Sequence, residues 1–226
     1  MFLKMRMKLI PKQETVRFCL LIILTVICVL LTIVRKITTG NSTFSFLNWN
    51  LFLAAVPWLV SMIAASRVIA EKSKILTVVL FFIWFLTFPN APYIITDLYY
   101  LNDHPSKMFW YDLIMILLFA WTGLLFGFFS LARIEGLLIR KLTKTKSVIV
   151  IVVILFAGAF GIYLGRDLRW NSWDIFLEPR EFFLDVLDRF IKPFGHGRTW
   201  GFTFLMGSFL NIIYWSFRLI QKKESV

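Results

Sequence analysis

Six apolar runs, each bounded by charge or turn residues, set the pattern of the chain. They extend over Phe18 to Val34, about Leu47 to Ala65, Ile75 to Phe88, Phe109 to Leu131, Ser147 to Leu164 and Trp200 to Ile220. A helix of about 20 apolar residues crosses the ~30 Å hydrocarbon core of a bilayer. The pattern therefore predicts an all-α integral membrane protein with six transmembrane helices, folded as one domain over residues 1–226. The first run has the basic start of a secretory signal, yet it is longer than a ~7–15-residue signal core and ends in Arg35-Lys36 rather than at small residues, so an uncleaved span is expected.

The third run differs from the rest. Lys74 to Phe88 covers only ~22 Å at helical rise before Pro89-Asn90-Ala91-Pro92 arrives, inside the expected thickness of the membrane. Two prolines remove two backbone donors and leave carbonyls in need of partners. Irregular backbone at that depth persists only where protein or a watery cavity covers it. A proline-broken third helix is the expectation, as a plain helix end satisfied by Asn90 or as one wall of a polar site.

Between the fifth and sixth runs, Arg166 to Thr199 is too charged to span. Pro179 is suited to a helix start, and Phe183, Val186, Leu187, Phe190 and Ile191 recur at helical spacing opposite Glu181, Asp185, Asp188 and Lys192. This predicts an outer interfacial amphipathic helix. Gly123 and Gly127 in the fourth run, with Ala157, Gly161 and Gly165 in the fifth, form small-residue stripes of the kind that let membrane helices approach, and the fourth and fifth spans are expected to touch.

The net charge of +12 changes meaning once it is distributed over the spans. With the N-terminus inside, the inner segments hold sixteen Lys and Arg against four acids, and the outer segments nine against nine. The surplus is thus a topology signal. It places both termini in the cytoplasm of a multipass cell-membrane protein, implies contact with anionic lipids at that face, and makes nucleic-acid binding unnecessary. Cys19 and Cys28 lie ~13 Å apart along one helix and cannot pair there.

Polar residues gather at the outer side. Asn90 and Asp97 end the third run, Asp112 lies one turn into the fourth, and Arg166, Arg169, Asn171 and Asp174 follow the fifth. Arg166 and Arg169, three apart, are expected to share a helix face and grip a carboxylate or phosphate. Asn90 and Asn171 would orient such a ligand, with Asp97, Asp112 and Asp174 as acid/base candidates. The competing explanation is structural: Asp97 or Asp112 paired with Arg166 or Arg169 would tie helix ends, and the Trp and Tyr residues nearby would be an interfacial belt. No metal site is expected, since His104 and His196 stand apart from any ligand spacing. No cofactor motif is present. Asn211 in the sixth run reads as an interhelical hydrogen bond, and the scarcity of ionisable residues at mid-membrane disfavours a coupled transporter.

The stretch Phe88-Pro89-Asn90-Ala91-Pro92-Tyr93-Ile94-Ile95-Thr96-Asp97-Leu98, with Leu164-Gly165-Arg166-Asp167-Leu168-Arg169-Trp170-Asn171-Ser172-Trp173-Asp174, resembles the domain-of-unknown-function 1361 family of small multipass bacterial membrane proteins. The resemblance extends from about Leu51 to Leu219. It implies a joint role for the two motifs and carries no activity with it. The expected function is binding, or processing, of an anionic lipid or lipid-linked head group at an outward-facing polar site. The alternatives are a non-catalytic subunit or assembly factor docking a protein partner and, after that, a transporter.

Overall fold

In the computed structural model the described residues are 12–66, 73–103 and 107–223. The basic start with Lys4, Arg6 and Lys8, the stretch with Arg67, Glu71 and Lys72, His104 and Glu224 lie outside them. Six helices are long and apolar enough to cross a membrane: Gln13–Thr39, Thr43–Ala64, Ile75–Asn102, Phe109–Ile139, Lys144–Asp167 and Pro193–Gln221. No strand occurs among the described residues.

The fourth span is the centre of the bundle. In its most apolar stretch 72% of residues are buried, against 17–44% in the other five. A helix apolar on all sides belongs in such a position. The first, second and third spans pack directly on it. The sixth reaches it through rings, Phe128 lying 5.5 Å from Tyr214 and 5.8 Å from Phe217. The fifth and sixth spans form their own close pair, with the Phe156 ring filling the space over Gly207.

The α-helix of the third span stops at the proline motif, and the chain keeps a helical path through it. Its α-helix ends at Thr87, and the chain continues as a short helical turn, Asn90–Tyr93, a 3-10 helix, Ile94–Tyr99, and a last turn, Tyr100–Asp103. Pro89 itself sits at φ −57° and ψ −27°. Where the prolines remove donors, the bonding shortens: Ala91 N–H donates to Phe88 O at 3.1 Å while Tyr93 N–H keeps the ordinary step to Pro89 O at 3.0 Å. The tighter turn thus offsets the loss that two prolines impose on an α-helix.

The fourth and fifth spans touch as expected, while their glycine stripes serve to house this segment. A Cβ on Gly123 would stand 2.6 Å from Ala91 O, and one on Gly161 would stand 2.7 Å from Pro89 Cγ. Gly127 and Gly158 crowd Ala91 and Phe88 in the same way. Both stripes face the third span rather than each other, so Phe88–Ile94 is wedged between the fourth and fifth helices.

Polar ties close the far end of the bundle. Glu14 accepts from Arg17 at 2.8 Å and from Arg133, whose other amino group donates to Ser61 Oγ at 2.9 Å. Glu135 accepts from Tyr214 Oη at 2.6 Å and Arg218 Nε at 2.8 Å. These partners let the fourth helix continue beyond Leu131, where charge suggested an end, to Ile139. Asn211 makes no interhelical bond; its amide donates to Gly207 O of its own helix at 2.8 Å.

The amphipathic segment forms the helix Pro179–Ile191, with proline in the first turn as expected. Phe182 and Val186 turn toward the bundle, Phe183 lines the cavity with half its surface exposed, and Leu184, Leu187 and Ile191 remain exposed. Its end is pinned by a ring cluster in which Phe190 lies 5.7 Å from Phe160 and 5.1 Å from Trp200.

Candidate functional site

Asp97 is the most enclosed acid of this end of the molecule together with Asp112; both are 0% exposed. A buried carboxylate needs partners on both oxygens. Asp97 Oδ1 accepts from Arg166 Nη1 at 3.0 Å and Oδ2 from Asn50 Nδ2 at 2.8 Å. Arg166 spends its second amino group on Thr96 O at 3.0 Å, and its guanidinium lies 4.9 Å from the Tyr100 ring and 5.9 Å from the Tyr93 ring. Second, third and fifth spans are joined at this one point.

A cavity of about 440 Å³ opens beside the pair. Leu53, Phe82 and Phe85 build its apolar depth, and Phe160 and Leu164 wall it on the fifth span. From Asn90 down to Phe82 it follows the third span for ~12 Å. Asn50, Asn90, Asn171 and Ser172 line the opposite end, and the Trp170 to Val186 stretch covers it. Trp49, Phe82, Trp173 and Phe183, exposed by 43–56%, edge it with aromatic surface. Among the described residues no charged side chain lines it.

Small contacts hold the cover in place. Ser172 Oγ donates to Leu86 O at 3.2 Å and lies 3.5 Å from Asn90 Nδ2. Ser172, not Asn90, therefore serves the backbone beside the prolines. Trp170 Nε1 donates to Asp185 Oδ2 at 2.9 Å, linking the cover to the amphipathic helix. Outside the spans, Asp188 accepts from Lys192 at 2.8 Å and meets His196 at 2.8 Å. These partners hold the Asp188 carboxyl below its ordinary range, and Asp188 in turn raises the Lys192 ammonium.

The residues expected to form one site are thus distributed over several places. Asn90 and Asn171 line the cavity, and Asp97 and Arg166 pair behind its Asn50 and Tyr93 wall. Asp112 stands in a separate pair with Arg35, Nε to Oδ1 at 2.5 Å and Nη2 to Oδ2 at 3.1 Å, with Arg35 over the Phe44 ring at 4.3 Å. Arg169 does not share a helix face with Arg166. The fifth helix ends at Asp167, and Arg169 is exposed at φ 61°, where the chain reverses so that Trp170 N–H reaches Leu164 O at 3.1 Å. Asp174 closes a local turn, accepting from the Asn171 backbone N–H at 2.6 Å and side-chain amide at 3.1 Å. Asn50 escaped the sequence reading, and Ser172 lies within the second motif but had no role of its own there. The signal at Asn50 is an amide in the opening turn of an otherwise apolar span.

Fold and site together define a multipass, all-helical membrane protein with a cavity edged by exposed aromatic rings. The chain belongs to the family described as "Protein of unknown function (DUF1361)", whose model matches residues 49–213. That match takes in every residue lining the cavity, from Trp49 to Val186. No curated protein and no solved structure matches the chain.

Proposed function

We propose that the cavity binds a membrane-resident amphiphile, a lipid or lipid-linked molecule, with its apolar part between the second, third and fifth spans and its head group at Asn50, Asn90, Asn171 and Ser172. The observation that carries this reading is the cavity's division into an aromatic depth and an end lined by amides and a hydroxyl. Its exposed aromatic edge favours entry sideways from the bilayer, as ligand sites are apolar with a few convergent polar groups. The charge bias assigns this end to the outer leaflet of the cell membrane, with both termini cytoplasmic.

Binding is favoured over processing. Both oxygens of Asp97 are occupied, and Arg166 already spends Nη1 on Asp97 and Nη2 on Thr96 O. The lining suits a head group rich in hydroxyl or amide groups better than one held by a positive charge. Lipids retained by gently extracted protein test this: wild type is expected to keep a defined species that Asn90→Leu/Asn171→Leu loses. Retention of the same lipids by both proteins would overturn it.

Docking of a protein partner has one observation in its favour. Phe176 and Leu177 on the covering segment, and Phe194 on the turn Pro193–His196, are exposed by 71–100%, away from the cavity lining. Cross-linking at Phe194 would then yield one stoichiometric protein adduct in native membranes, where a lipid-facing ring would yield lipid adducts.

A further inference from the structure

A second, independent groove lies at the other end of the bundle. The first and sixth spans stand apart there and leave a furrow of about 570 Å³ over the fourth, floored by Leu125 and Phe129 and walled by Leu20, Leu24 and Phe217. From Gln13 to Leu24 it runs ~16 Å at helical rise, about half of the ~30 Å hydrocarbon core and so the depth of one leaflet. Its end carries Gln13, Arg17 and Gln221.

The charge at that end is unbalanced. Arg17 and Arg133 both bond the single carboxylate of Glu14, while Glu135 is matched by Arg218. Among the described residues of this cluster three guanidiniums thus face two carboxylates, which leaves one positive charge over. Arg17 is also turned into the groove, its guanidinium 5.3 Å from the Phe129 ring on the floor. An apolar slot of leaflet depth ending in one surplus, partly buried cation is complementary to an acyl chain ending in a phosphodiester.

We propose that this groove binds an anionic phospholipid of the leaflet on the Arg17 side, which the charge bias makes the cytoplasmic one. One acyl chain lies along Leu20, Leu24 and Phe217, and the phosphate meets Arg17 and the amides of Gln13 and Gln221. This site shares no residue with the cavity at the opposite end, so neither proposal depends on the other.

The test is full-length protein in nanodiscs of equal phosphatidylglycerol and phosphatidylcholine, re-extracted into mild detergent, with retained lipids counted by mass spectrometry. Wild type is expected to retain phosphatidylglycerol preferentially. Arg17→Gln should lower that preference about fivefold, the effect of one basic residue at an anionic surface. Glu14→Gln breaks the same ion pairs but leaves both arginines, and should hold or raise the preference. No preference in wild type, or an equal loss in both variants, would overturn the proposal and reduce Arg17 to a helix tie or leave the groove to the chain's own residues 1–11.

Discussion

Arg166 and Asp97 meet at 3.0 Å between the fifth and third spans, and Asp97 has no exposed surface. Removing one member of such a pair strands the other. Arg166→Ala is expected to cost about 3–5 kcal/mol, while Asp97→Asn/Arg166→Gln should cost clearly less than the two single changes added together. Thermal unfolding of the four proteins in one detergent measures the coupling, and simple additivity would argue against the pair.

The wedge between the glycine stripes makes a contrasting prediction. Gly161→Ala places a methyl 2.7 Å from Pro89 Cγ, and overpacking of this kind costs about 1–3 kcal/mol. Gly136 has nothing within 4 Å of its would-be Cβ. Gly136→Ala should therefore gain up to about 1 kcal/mol from helix propensity alone. Midpoint shifts of opposite sign in the same unfolding assay are the expected outcome.

Arg169 holds a left-handed backbone at φ 61°. That conformation costs a non-glycine residue roughly 1–2 kcal/mol, against about 0.5–1 kcal/mol of chain entropy that glycine adds. Arg169→Gly should leave the protein as stable or up to about 1 kcal/mol more so, with lipid retention unchanged. A loss of retained ligand would instead return Arg169 to the binding machinery.

Asp188, held low by Lys192 and His196, has a definite pH signature. Its contribution is present above the ordinary carboxylate value of 3.8 and is lost only as pH falls through the lower folded value. Lys192 works the other way, its contribution lost as pH rises past 10.5 and through the raised value. The difference in tryptophan fluorescence between wild type and Asp188→Asn, reported by Trp200 on the adjoining turn, should therefore persist into acid below pH 3.8. Its disappearance at pH 5 would contradict the assignment.

The six spans could be read from the sequence because membrane helices are recorded as continuous apolar runs, and Pro179 announced the amphipathic helix. Partners were harder to read. Whether Asp112 faces Arg35 or Arg166 depends on the rotation of each helix about its axis, which a single chain does not encode locally. The fourth span exceeded its expected end because Arg133 and Glu135 find partners on the first, second and sixth spans. Glycine stripes marked close approach without naming the helix that approaches. Asn50 was hidden for the opposite reason, one amide among apolar neighbours whose importance rests on Asp97, 47 positions further on.

The wedged third span has a consequence for how the protein is made. When Phe88–Asp97 emerges from the ribosome, every group that satisfies it later in the chain is still unwritten: Gly123 and Gly127, then Gly158, Gly161 and Arg166. Released early into lipid, its prolines and its carboxylate would lie against hydrocarbon with unpaired polar groups. The native packing of this span therefore cannot form until synthesis has passed Arg166.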